Sequence, residues 1–387
     1  MTTRTAVAVA VVVSVCVSLL TPAAAQVSWT LATDSAGWSP RTAHTAVTFG
    51  GRMWVLGGYD GSYEKDVWCS TDGVNWTLVT DSADWSGRWE HASVAFDNKL
   101  WVMCGGQFET FDGGVWCSSD GVSWTRTAYH IEFERQGCAA VVFDDKMWIM
   151  GGWWLDPLQN PILCGDVWSS PDGVVWTEVV HNAAWAPRDR LAACVYDGKM
   201  WVVGGNTHSG VAADVWYSTD GATWTLATDS AAWSGRFGHA LVALDGRMWV
   251  LGGSPGMKND VWNSIDGVTW TLVQDSAPWP GRWRHPAVVF DGAMWVLGGY
   301  STQGYEHDAW SSNGLAVEDP QPQTSSRKLA ATVLSGASSV KRLASSVLFD
   351  GTGRRVANPR SGVYFVGEGL GVGGQGSGRM RKVVIQR

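Results

Sequence analysis

Past residue 25 the chain has no apolar run long enough to cross a bilayer as a helix and no Cys-x-x-Cys pair of the kind that holds zinc. The first absence excludes further helical membrane spans, and the second the common zinc modules. Positive charge is also scarce: residues 26–314 hold 16 Lys and Arg against 32 Asp and Glu, a net charge of −16. A surface that acidic repels nucleic acid and anionic membranes. Nearly half of the carboxylates need no ligand to explain them, because 15 of the 32 stand in Asp-x-Trp and Asp-Gly pairs, where Asp bonds local backbone in turns.

What is present in excess is Trp, at 27 residues, and Gly, at 47 of 387, a combination that points to a repeating unit demanding both. Six Gly-Gly pairs, at Gly57, Gly105, Gly151, Gly204, Gly252 and Gly298, lie 48, 46, 53, 48 and 46 residues apart. Each follows an apolar strand such as Met53-Trp54-Val55-Leu56, itself preceded by a strand and a two-residue turn: Gly50-Gly51, Asp97-Asn98, Asp144-Asp145, Asp197-Gly198, Asp245-Gly246 or Asp291-Gly292. Those residues tolerate the positive φ of a tight hairpin. A variable loop then leads to an Asp-Val-Trp strand, typified by Asp66-Val67-Trp68, which unit 2 replaces by Gly114-Val115-Trp116. An Asp-Gly turn and a fourth strand opening on Trp76, Trp124, Trp176, Trp224 or Trp270 complete a four-stranded meander. The sixth unit stops at Asn313-Gly314, and Val27-Ser28-Trp29-Thr30-Leu31 reads as its missing fourth strand. The expectation is an all-β chain, a six-bladed β-propeller closed by its own N-terminal strand, which covers the edges an open array would expose.

The strand ending in Gly-Gly, the Trp after a variable loop and the second Trp beyond it resemble the kelch repeat over residues 26–314. The resemblance implies a six-bladed propeller related in architecture to that of galactose oxidase. Ser70 to Trp76 is similar to the sialidase Asp-box but lacks one residue between Asp and Gly, so it reads as a turn.

Residues 1–25 carry one charge, Arg4, an apolar run from Ala6 to Leu20 and an Ala-x-Ala ending, the pattern of a cleaved signal peptide. Export through the periplasm to the cell surface or medium follows, with no stable membrane span after cleavage. Removal of Cys16 leaves six cysteines, whose state is read as buried or free thiols as readily as disulfides. Residues 315–328, with Pro320, Pro322, Ser325 and Ser326, read as a linker. Residues 329–387 form a separate, small β-sandwich-like module. Its order of Val347 to Val356, Ser361 to Val366 and a terminal Lys382-Val383-Val384-Ile385 resembles the C-terminal sorting domain of the type IX (Por) secretion system, which implies secretion machinery as a partner.

One basic position recurs in all six units: Arg41, Arg88, Arg135, Arg188, Arg236 and Arg282, just before each first strand. A ring of arginines at one mouth of a central channel, with Trp85, Trp233 and Trp279 three residues upstream, suits an acidic sugar held by bidentate bonds and stacking. The competing expectation is that the arginines bridge neighbouring units and the Trp and His residues pack between them. Departures from the repeat, where a local site would show, include Glu132 and Glu134 in unit 3 and Asp189 in unit 4, candidate carboxylates for acid and base work. The functional expectation is a module that binds a protein or glycan and is not an enzyme, without cofactor or metal. The alternative is a carbohydrate-active enzyme such as a sialic-acid mutarotase or a sugar oxidase-like propeller, although the tyrosines show no galactose-oxidase-like copper arrangement.

Overall fold

The computed structural model describes residues 27–108, 110–128 and 134–313, with four short strands between residues 334 and 386. The signal segment, Cys16, the 315–328 linker and Glu132 lie outside the described residues. All the described secondary structure is β. The chain divides into two units, Met1–Pro320 and Gln321–Arg387.

In the first unit the meander expected from the repeat is built six times. The first sheet pairs Thr45–Phe49, Arg52–Tyr59, Tyr63–Ser70 and Thr77–Thr80 in chain order, and the next four sheets repeat that order. Every two-residue turn between first and second strands has both residues at positive φ, as at Asp97 (46°) and Asn98 (56°), which matches the right-handed twist of the strands it joins. The second strand is apolar at successive positions because neighbouring sheets cover both its faces: Met53, Val55 and Leu56 are fully buried, and Trp54 nearly so.

The sixth sheet takes its fourth strand from the other end of the chain. Trp29–Thr33 pairs antiparallel with Gly304–Ser312, Leu31 opposite Trp310 and Thr33 opposite Ala309. The irregularity between Leu31 and Thr33 repeats the one in the first sheet, where Leu78 faces Trp68 and Thr80 faces Val67. Trp29 meets Trp279 edge to face at 5.9 Å, the packing that Trp76 gives Trp38 and Trp124 gives Trp85.

Six apolar clusters lie between neighbouring sheets, not within one. Trp54, Leu56 and Val67 of the first sheet pack with Leu100 and Val102 of the second, while Met53 and Val55 pack with Trp295 and Leu297 of the sixth. The first strands touch in chain order, and Thr45–Phe49 also touches the last of them, Ala287–Phe290. The Asp-Gly turn sets the spacing. A Cβ on Gly73 would come within 2.0 Å of the Trp295 ring, so only glycine lets the first sheet approach the sixth, and Gly121 repeats the contact on Trp54. Ser70 Oγ accepts from Gly73 N at 2.8 Å, and Asp72 Oδ1 accepts from Asn75 N, so the Ser-x-Asp-Gly segment is a self-bonded turn.

The second unit holds one described sheet, ordered Leu334–Ser335, Met380–Gln386, Gly362–Gly367 and Val347–Phe349. A second layer, which a sandwich requires, is not among the described residues.

Trp29→Ala removes a buried ring and loosens the strand that covers the sixth sheet. Its expected cost is about 3–5 kcal/mol in urea unfolding, against a near-neutral Thr30→Ala on the exposed face of the same strand.

Candidate functional site

The recurrent arginines face inward. Each is 0–3% exposed, and each Nη1 donates at 2.8–2.9 Å to the carbonyl of the residue 16 positions on: Gly57, Cys104, Gly151, Gly204, Gly252 and Gly298. Five also form two parallel bonds to a carboxylate, Arg41 to Asp66, Arg135 to Asp166, Arg188 to Asp214, Arg236 to Asp260 and Arg282 to Asp308. Arg88 makes one such bond, to Asp112 at 2.6 Å, so Asp112 supplies the carboxylate that unit 2 lacks beside Val115-Trp116. In the Asp-x-Trp units the same carboxylate accepts from the Trp two residues on, as Asp66 does from Trp68 Nε1 at 2.7 Å. Burial pushes the Asp112, Asp166 and Asp260 carboxyls up, but the adjacent arginine together with neighbouring hydrogen bonds outweighs it and holds them below the ordinary range.

The side chain therefore pins its own unit, while the backbone bridges to the preceding one. Arg41 O accepts from Gly299 N at 3.0 Å and Arg88 O from Gly58 N at 2.9 Å. The 16-residue rule also corrects the alignment. Cys104, at φ 63°, holds the place of the first glycine, and Gly105, not Gly106, corresponds to Gly58: a Cβ on Gly105 would strike His91 Cβ as one on Gly58 would strike His44 Cβ.

Trp85, Trp233 and Trp279 are 0–2% exposed and lie 5.4–6.0 Å from Arg88, Arg236 and Arg282. The stacking expected for a ligand is thus made to the neighbouring guanidinium, inside the fold. His44, His91, His239 and His285 are buried along the wall of a central cavity of about 250 Å³. Burial first, then the positive charge of the nearby arginine, drives them down, His91 and His285 to about 3.

The side chains at the channel mouth come from the residue two positions after each arginine. Ala43, Glu90, Gly137, Arg190, Gly238 and Arg284 all have φ between 48° and 64°, and their backbones form a cycle. Glu90 N donates to Ala43 O, Gly137 N to Glu90 O, Arg190 N to Gly137 O, Gly238 N to Arg190 O, Arg284 N to Gly238 O and Ala43 N to Arg284 O, at 2.7–3.0 Å. Small residues alternate with charged ones around it. Adding a Cβ at Gly137 would crowd Arg190 Cγ, and at Gly238 the Trp283 ring, so the small positions leave space for the long side chains between them. Glu90 Oε1 binds Arg190 Nε and Arg284 Nη2, each at 2.5 Å, and Arg190 Nη1 binds Asp189 Oδ2 at 2.6 Å. Burial raises the Glu90 carboxyl, but Arg284 and Arg190 prevail and its net direction is down. For Asp189 burial prevails, with Glu90 adding to it, and the carboxyl is held up despite Arg190.

Beside this plug a recess of about 520 Å³ opens, lined by Tyr59, Tyr63, Trp89, Phe108, Trp283 and the tyrosine pair Tyr300 and Tyr305, with Arg284 at its inner side. Tyr59 touches Tyr63, Trp89 and Tyr305 at centroid distances of 5.0, 5.5 and 6.0 Å. Arg284 lies 4.3 Å from the Trp283 ring and 4.7 Å from Trp89. Phe108 is 65% exposed, and its backbone N–H donates to Tyr63 Oη at 2.7 Å. The group combines flat apolar faces, phenol hydroxyls and a cation whose charge Glu90 already balances.

Of the candidate carboxylates, Glu134 is exposed and lines a different recess with Trp154 and Glu178, whereas Asp189 is buried at the channel mouth and bound to Arg190. The aromatic recess was not expected from the sequence. A signal for its floor exists, since the residue two after each arginine alternates between small and charged types around the six units. All six cysteines among the described residues are free thiols, five buried and Cys138 partly so. Among the described residues no group of three or more His, Cys, Asp or Glu is arranged to hold a metal, and no helix is long and apolar enough to cross a membrane.

Residues 40–69 match the family model of the kelch motif, a segment spanning Arg41, the Gly57-Gly58 pair, Asp66 and Trp68. This match and the all-β architecture fit a kelch-repeat β-propeller. No curated protein matches the chain.

Arg236→Ala strands the Asp260 carboxylate and is expected to lower stability by about 3–5 kcal/mol, with Arg236→Lys also destabilising because an ammonium cannot replace the two parallel bonds. Urea unfolding of both variants measures this, and an unchanged midpoint would show that the pair is dispensable. Acid sensitivity follows from the histidines. Between their ordinary value near 6.5 and about 3 the unfolded chain holds protons that buried His91 and His285 do not, so stability falls with pH by about 1.4 kcal/mol per unit for each. The lowered carboxylates act in the same direction below about pH 4. His239→Leu, which copies Leu191 of the fourth unit, is expected to fold and to flatten the dependence of the urea midpoint between about pH 7 and pH 5.

Proposed function

We propose that the chain is an exported six-bladed kelch-type propeller, closed by the Trp29–Thr33 strand, that serves as a protein-interaction module and seats its partner on the aromatic recess beside Arg284. The closed ring is supported by the six-membered hydrogen-bond cycle and by the Gly73–Trp295 contact between the first and last sheets. Export rests on the signal-like residues 1–25, and residues 329–387 are read as the address that engages a type IX secretion machinery. The kelch motif itself suggests a protein-interaction propeller.

The observation that carries the functional reading is the recess. Tyr, Trp and Arg are the side chains that dominate binding energy in protein interfaces, since each brings a large, stiff contact area with a polar end. Here they are gathered at one mouth, most of them at the ends of paired strands. Arg284 is neutralised by Glu90, so the recess does not call for an acidic ligand, and the net charge of −16 over residues 26–314 favours a basic partner through long-range steering. Binding rather than catalysis fits the carboxylates at the mouth, since Glu90 and Asp189 are tied to arginines.

Arrays of short peptides varied in basic and aromatic content, printed beside neutral and acidic glycans, test the reading. Basic aromatic peptides are expected to be retained, less so at high salt. Tyr305→Ala and Phe108→Ala are expected to weaken retention about tenfold or more with an unchanged melting temperature. Retention of glycans alone would assign the recess to sugars. Turnover of a sialic acid or galactoside would establish an enzyme, and retention indifferent to Tyr305 would remove the recess from the interaction.

A further inference from the structure

At five of the six junctions between neighbouring sheets a glycine faces a bulky side chain of the next unit. A Cβ on Gly57 would lie 3.2 Å from His91 Cε1, and Cβ atoms on Gly204, Gly252 and Gly298 would lie 3.0 Å from the same atom of His239, His285 and His44. On Gly151 it would lie 3.0 Å from Leu191 Cδ2. The junction between the second and third sheets departs on both sides at once. Cys104 stands where the others have glycine, in a left-handed backbone that disfavours any Cβ, and Cys138 stands where four others have histidine. The two exchanges complement each other: the shorter cysteine leaves the volume of a histidine ring, and the second cysteine occupies it.

Cys138 packs against the buried apolar cluster to which Cys104 belongs. Cys104 is fully buried, while Cys138 is partly exposed and lines the central cavity. The guanidinium of Arg135 acts on both sulfurs. The neighbouring Cys104 and the charge of Arg135 pull the Cys138 thiol down, while burial pushes Cys104 up. The more acidic, more accessible sulfur is therefore Cys138, with Cys104 packed behind it. Cys164, the nearest further thiol, is pushed up to about 12 by burial and lines a different recess.

We propose that Cys104 and Cys138 form a redox pair, a disulfide that staples the second sheet to the third, made by exchange with an external disulfide donor such as an oxidised small thiol. The Cys138 thiolate attacks one sulfur of the donor, and the donor's other sulfur departs as a thiolate and takes up the proton that Cys138 gave. Cys104 then releases its proton and attacks Cys138 Sγ, expelling the second donor sulfur, which takes that proton. One S–S bond breaks in the donor and one forms in the protein. Two electrons pass to the donor, which leaves as two thiols.

The full-length chain, held folded and separately refolded from urea in an oxidised glutathione buffer, is acid-quenched, alkylated, digested and mapped by mass. A linked peptide pair carrying Cys104 and Cys138, lighter than the two thiol peptides by about 2 Da, is expected, with Cys69, Cys117, Cys164 and Cys194 alkylated. The oxidised chain is expected to melt roughly 5 °C above the reduced one. Cys104→Gly combined with Cys138→His restores the arrangement of the other junctions, and is expected to fold and to melt alike in both buffers. Full alkylation of both cysteines after refolding in the oxidant, or a bridge from Cys138 to Cys164, would overturn the proposal. Neither result depends on what the aromatic recess binds.

Discussion

The structure rests on a buried arginine that is shared between two units. Its guanidinium holds a glycine or cysteine carbonyl and a carboxylate of its own sheet, and its backbone carbonyl takes an N–H from the sheet before. A guanidinium in the interior is stable only with every donor direction answered, because an unanswered charge there costs several kcal/mol. That demand explains features that look independent. The Asp-x-Trp motif places a carboxylate that also takes the indole N–H, the Gly-Gly pair exposes a carbonyl to the guanidinium, and the Trp three residues upstream lies alongside Arg88, Arg236 and Arg282. Unit 2, which lacks the usual Asp, meets the same demand with Asp112 from within the preceding loop.

From that anchor the chain reaches the axis two residues later. Six left-handed residues bond head to tail in a cycle, which sets six Cα positions at one mouth and makes their side chains neighbours. With Glu90, Arg190 and Arg284 at alternate places and Asp189 bound to Arg190, the mouth carries two carboxylates against two guanidiniums rather than the field of six cations. The same geometry stations Trp89 and Trp283 beside the strand ends that carry Tyr59, Tyr63, Tyr300 and Tyr305, so the aromatic recess is a direct product of how the units meet.

Much of this was legible in the repeat. The two-residue turns, the four-stranded order and the pairing of Trp29–Thr33 beside Trp310 follow from local rules: positive φ at Asp-Gly, alternation in strands and a missing fourth strand at one end. The role of the recurrent arginines was legible only in part. Their uniformity suggested a structural duty, and the bridge to a neighbour is made by their backbone, while their side chains bond within the unit. The unit 2 glycines were misaligned by one residue because Gly105-Gly106 imitates the pair that Cys104-Gly105 forms, and only the bond from Arg88 distinguishes them.

By itself the sequence determined the unit and its turns, since each is encoded within about 48 residues by backbone preferences that act over short range. Tertiary structure decided what meets at the axis and at each junction. Glu90 finds Arg190 a hundred positions away, and Cys104 and Cys138 fill one space together. Such contacts join residues of different repeats, and the periodicity that reveals the repeat averages out the single positions at which they differ.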